Sequence, residues 1–181
     1  MDDSPGGQVY MYVGEKRSAG IPVEQAGLMG GDLYGVKVEG NRFGFVKFGD
    51  VSTMTGADLE KAGQKMGVAN FMRPEDGSWD ANNSKLFYFA TTDKIDGTSQ
   101  LFQLSFDDLQ HPENGGNIRA VLNARDIDAQ MFDNIVVAGD GKLLVEEDPG
   151  DNPHMASIWQ FDPKTAKAIK VAKVVPAAFL D

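Results

Sequence analysis

Short runs of β-branched and aromatic residues recur along the chain, each five to seven positions long and each closed by Gly, Asp, Asn or Pro. This is the pattern of an all-β protein. It predicts strands at Gln8 to Val13, Leu33 to Val38, Phe43 to Phe48, Lys85 to Thr91 and Gln100 to Phe106. Further strands follow at Ile118 to Leu122, Asn134 to Val137, Lys142 to Glu147, Ala156 to Phe161 and Ala168 to Val174. Thr55 to Met66 breaks the rhythm. A Thr cap, an Asp in the first turn and Gly67 after the last predict a short surface helix, inserted near 55–66. Pro22 to Leu28 is a second, weaker helical stretch.

Part of the pattern repeats. Lys-Leu opens a strand at Lys85 and again at Lys142. An aromatic-Gln pair opens its partner at Phe102-Gln103, and Trp159-Gln160 stands in the same phase. The offset is roughly 57 residues, within the range of propeller blades that carry loop insertions. Gln8 to Gly14 followed by Asp32 to Glu39 is a looser third copy. The expectation is one partial β-propeller domain over 1–181, of about three four-stranded antiparallel blades, half of a six-bladed ring. A β-sandwich is the competing reading.

Composition narrows the chemistry. The 181 residues suffice for a core without staples, and there is no cysteine, hence no disulfide and no thiolate ligand. Two histidines cannot build a poly-histidine zinc site. A net charge of -10 argues against nucleic acid as a partner but suits cations where carboxylates converge. No run reaches the roughly 18 apolar residues that span a membrane. The start, Met-Asp-Asp-Ser-Pro-Gly-Gly, is unlike a secretory signal, so the chain reads as cytoplasmic or as a piece whose export signal lies outside it.

Two blocks precede the repeated strands: Arg73-Pro74-Glu75-Asp76 and Phe132-Asp133-Asn134-Ile135. On innermost strands, Arg73 and Glu75 share a face and Pro74 points away, tolerated at an edge. Asp133 and Asn134 would enter the same channel. Such a set suits Ca²⁺ or Mg²⁺ plus an anion clamped by the guanidinium. The plainer alternative is a solvated turn with a surface ion pair beside an ordinary Asp-Asn turn. His111 and His154 read as loop histidines. Asp80 to Asn83 and Asp140-Gly141 read as hairpin turns. Tyr10, Tyr12, Phe87, Phe89, Trp159 and Phe161 alternate along strands as packing residues.

Gly7 to Lys16, Ala26 to Val38, Phe71 to Asp76 and Phe132 to Ile135 resemble, in the same order, segments of the PhoX-like alkaline phosphatases. The likeness covers the later part of a longer six-bladed propeller domain. It implies phosphomonoester hydrolysis with Ca²⁺ and iron, a phosphorylated small molecule as substrate, and a periplasmic or extracellular location. By that resemblance Arg73 binds phosphate, and Glu75, Asp133 and Asn134 hold metal, with Glu147 and Asp148 near the acidic end of the following strand. The family's iron-binding cysteine has no counterpart here, and its earlier blades are missing. Either the chain is a fragment of a longer ring, or further blades are too degenerate to read, or two copies pair as a homodimer to complete a ring; pairing is the expectation. A gluconolactonase-like lactonase and a catalytically silent binding module are the alternatives.

Overall fold

The computed structural model describes residues 3–175. In chain order the strands are β1 (Pro5–Gln8), β2 (Tyr10–Val13), β3 (Asp32–Glu39), β4 (Arg42–Lys47), β5 (Asn70–Met72), β6 (Pro74–Trp79) and β7 (Leu86–Thr91). They continue with β8 (Gln100–Phe106), β9 (Gly116–Asn123), β10 (Phe132–Val137), β11 (Leu143–Glu147), β12 (Ser157–Asp162) and β13 (Lys167–Lys173). The α-helices are α1 (Pro22–Gln25) and α2 (Gly56–Met66), with short 3-10 turns at Pro112–Asn114 and Ala124–Ile127.

Three sheets result. One is a curled seven-stranded sheet in the order β2-β3-β4-β9-β8-β7-β6, the second is β10-β11-β12-β13, and the third is the pair β1-β5. Two stretches, β6 to β9 and β10 to β13, are antiparallel meanders of four sequential strands, the unit from which propeller-type folds are built. The repeat seen in the sequence falls on the middle strands of these two units. The first strands of the units lie side by side. Asp76 Oδ2 on β6 accepts the Ile135 N–H at 3.1 Å, and Ser78 Oγ accepts that of Val137 at 3.4 Å. Side chains thus satisfy edge N–H groups that have no ladder partner.

Alternation along β7 to β9 fills both faces of the middle sheet. Tyr88, Ala90 and Leu101 pack with Phe132, Ile135, Val145 and Phe161 of the following sheet. Phe89, Leu104 and Ile118 face the other way, towards Val9, Val36, Phe43 and Phe71. The seam between the units is therefore an apolar core that holds them together, beside a second core on the other face.

The structure corrects the predicted elements in two places and forms the expected inserted helix. Gln8 to Val13 is two strands, because the chain leaves β5 at Gln8 and joins β3 at Tyr10; Val9 keeps a bond to Val36 N at 3.0 Å. β5 has no counterpart among the predicted runs, and β6 carries the Pro74 to Asp76 part of the block read as an innermost strand and continues through Gly77 to Trp79. Pro74 is buried at the first position of a strand that borders the sheet, where its missing N–H costs nothing. The inserted helix forms as α2, with Thr55 capping Asp58 N and Gly67 closing it at φ 78°. It docks through Gly63, where a Cβ would meet Gln8 Oε1 at 2.1 Å; Gln8 Nε2 reaches the Glu60 carbonyl at 3.2 Å.

Candidate functional site

Arg73 sits between β5 and β6 with φ 55°, in the left-handed region that few side-chain-bearing residues adopt. The end of β7 holds it there. Thr92 N donates to the Arg73 carbonyl at 2.9 Å, and Asp93 N donates to the Met72 carbonyl at 3.0 Å. This fixed backbone directs the guanidinium. Its Nη1 donates to the Asp93 carbonyl at 3.1 Å. Its Nε and Nη2 donate to the two carboxylate oxygens of Asp3, at 2.7 and 3.3 Å. Glu75, two positions along β6, lies on the same side, with Oε1 3.5 Å from Nη2.

Asp133 of β10 completes the cluster electrostatically. Burial pushes the Asp133 carboxyl up, and repulsion from Asp148 and Asp3 adds to it. Burial also pushes Glu75 up, to about 7; a hydrogen bond with Asp3 and repulsion from Asp133 reinforce the shift, and Arg73 opposes it. The Arg73 bond holds Asp3 below the usual carboxylate range. The result is a fixed guanidinium fork carrying an ionised carboxylate, beside a glutamate that exchanges its proton near neutrality. Such a pair can clamp an oxyanion and move a proton to or from it.

The other residues expected at the site lie elsewhere. Asn134 turns to the outer face of its sheet, beside Val136 and Leu144, because neighbours in a strand face opposite ways. Glu147 is fully buried and both its oxygens are occupied. Oε1 accepts from Gln130 N at 2.8 Å and Trp159 Nε1 at 3.2 Å. Oε2 accepts from Ser157 N at 2.7 Å and lies 3.0 Å from His154 Nε2. His154 is thus anchored rather than free in its loop. Asp148 Oδ1 accepts from Gly150 N at 2.9 Å within a turn and touches the site only through its charge. Asp3 is the residue sequence reasoning missed. Its contact spans 70 positions, and no local pattern announces it.

These residues do not make a metal cage by themselves. Among the described residues no three His, Asp or Glu side chains are placed to hold one ion. Asp3 is committed to Arg73, Asn134 faces away, Glu147 is saturated, and the chain has no cysteine for iron. The calcium and iron expectations find no complete donor set within the described residues. Among those residues, too, no helix is long and apolar enough to cross a membrane.

No protein-family model matches the sequence, and no curated protein matches it. A solved structure does: Pseudomonas fluorescens PhoX in complex with vanadate, a transition state analogue, superposes with a TM-score of 0.72 at 14% identity. The match covers 97% of this chain and 41% of that one, so the chain spans less than half of the structure it resembles. Over nearly its whole length, the chain has the propeller-type fold of part of PhoX.

Proposed function

We propose that this chain is the oxyanion-binding portion of a PhoX-like phosphomonoester hydrolase, completed by a partner that supplies the rest of the ring. The observation that carries this reading is the Arg73 fork, held by its backbone and by the Asp93 carbonyl and already gripping a carboxylate through two N–H groups. The same geometry suits two oxygens of a phosphate group. Glu75, exchanging its proton near 7, is placed 3.5 Å from that fork to share a proton with a bound phosphoryl group.

A second copy of the chain is the proposed partner, and the likeness to PhoX favours a periplasmic or extracellular location. No step of this reading passes through a metal, because the donor set present here is incomplete. Calcium at Glu75 and Asp133 would require further ligands from the partner.

The test is vanadate and phosphate binding by calorimetry, with an aryl phosphate hydrolysis assay beside it. Binding at micromolar to millimolar vanadate that Arg73→Met weakens at least tenfold supports the reading. Absence of any Arg73-dependent binding overturns it. Binding without hydrolysis favours a silent oxyanion-binding module, a reading that Asp3 seated on the fork also supports.

A further inference from the structure

The seam between the two four-stranded units is apolar over most of its length and turns polar at its hairpin end. Tyr88, Gln103 and Arg119 occupy one cross-strand row on β7, β8 and β9. Tyr88 is fully buried and Gln103 is 6% exposed. Gln103 Nε2 donates to the Tyr88 hydroxyl at 2.7 Å, and its Oε1 accepts from Arg119 Nε at 2.8 Å. Both ends of the amide are used, which orients it and aligns the guanidinium. The row opens into a cleft of about 380 Å³. The Asp80–Asn83 turn walls it on one side, and Gly141 and Lys164 from the next unit wall it on the other. Asn82 Nδ2 ties the two hairpins together through the Gly139 carbonyl at 3.0 Å.

Donors are what this arrangement leaves over. The Tyr88 oxygen accepts from Gln103, and no acceptor among the described residues takes its proton. The terminal amino groups of Arg119 and the ammonium of Lys164 also lack partners among the described residues. The carboxylate in the lining, Asp80, has Oδ1 turned to the N–H groups of Asn82 and Asn83, at 2.8 and 3.1 Å. Burial raises the Tyr88 hydroxyl above its ordinary value, so it remains a donor at any physiological pH. An aligned guanidinium beside an unpaired ammonium calls for a charged acceptor. We propose that this seam cleft is a second anion site, which binds the carboxylate or phosphate group of a small molecule independently of Arg73. The ligand would accept from Arg119 on one unit, held in place through Gln103 by the buried Tyr88, and meet Lys164 of the other, bridging the seam.

The test uses the full chain carrying Arg73→Met, so that its outcome does not depend on the first site. Sodium acetate and sodium phosphate are titrated at constant ionic strength, and the Gln103 side-chain amide and Arg119 Nε resonances are followed by NMR. The expected result is saturable shifts, weakened at least tenfold by Arg119→Met and about threefold by Lys164→Met. Both substitutions change exposed side chains, and circular dichroism checks that the fold is kept. Saturation by acetate alone identifies a carboxylate ligand; tighter saturation by phosphate identifies a phosphorylated one. Shifts that rise linearly with both anions, or that saturate equally in the Arg119→Met protein, overturn the proposal.

Discussion

Asp3 grips Arg73 through both carboxylate oxygens, at 2.7 and 3.3 Å, although 70 positions separate them in the chain. An internal anion therefore occupies the fork that an external oxyanion would need. Asp3→Asn keeps the shape and removes the charge. Arg73 stays placed by the Asp93 carbonyl, so vanadate affinity is expected to rise about tenfold, the equivalent of about 1.4 kcal/mol. Calorimetry against wild type measures it. Unchanged affinity would show that Asp3 does not compete for the fork.

Glu75 gives the fold a pH dependence of defined sign. Its folded-state value is about 7, against an ordinary 4.5. Across that window the folded protein keeps a proton that the unfolded chain has lost, so this contribution to stability is full at lower pH and declines as pH rises. Glu75→Gln fixes the uncharged form. Its melting temperature should exceed that of wild type by about 3 °C at pH 8 and match it at pH 4. A thermal denaturation series over pH tests this, and an equal difference at both ends contradicts the assignment.

Glu147 is the brace of the following unit. Four donors converge on its buried carboxylate, three of them reaching it from the loop and strand between His154 and Trp159. Glu147→Gln replaces one acceptor oxygen with an amino group that must face donors. The expected cost is about 2–4 kcal/mol, read as a lower urea midpoint with unchanged slope. A loss under about 0.5 kcal/mol would show that the network re-forms around the amide.

Local chemistry explains which features the sequence discloses. β8 is legible to the residue because Leu101, Leu104 and Phe106 punctuate it with polar neighbours. α2 is legible because Thr55 and Gly67 mark its ends. β6 is legible only as far as Asp76, because Gly77 interrupts its pattern, and Pro74 is tolerated there because the strand borders its sheet. Arg73 and Glu75 share a side, as period two requires, and the same rule sends Asn134 away from Asp133. The Asp3 clamp and the saturation of Glu147 are tertiary facts. They depend on which strands meet, and hydrophobic alternation carries no record of that.

Pairing of two copies is the prediction that decides the architecture. The match covers 41% of the solved PhoX chain, and the outer face of the last sheet carries exposed apolar side chains. Val136, Leu144, Gln160 and Ile169 lie in one cross-strand row there, with Val136 51% and Ile169 57% exposed. At the other end, Ile21, Leu28 and Met29 are also exposed. A partial ring with exposed apolar side chains at each end would close by a two-fold axis that sets each end against the opposite end of its copy. Light scattering should therefore give about twice 19.6 kDa. The double substitution Val136→Lys with Ile169→Lys should return the mass to that of one chain without lowering the melting temperature of the monomer, since both side chains point away from the core. A wild-type mass of one chain at high micromolar concentration would rule out the pairing.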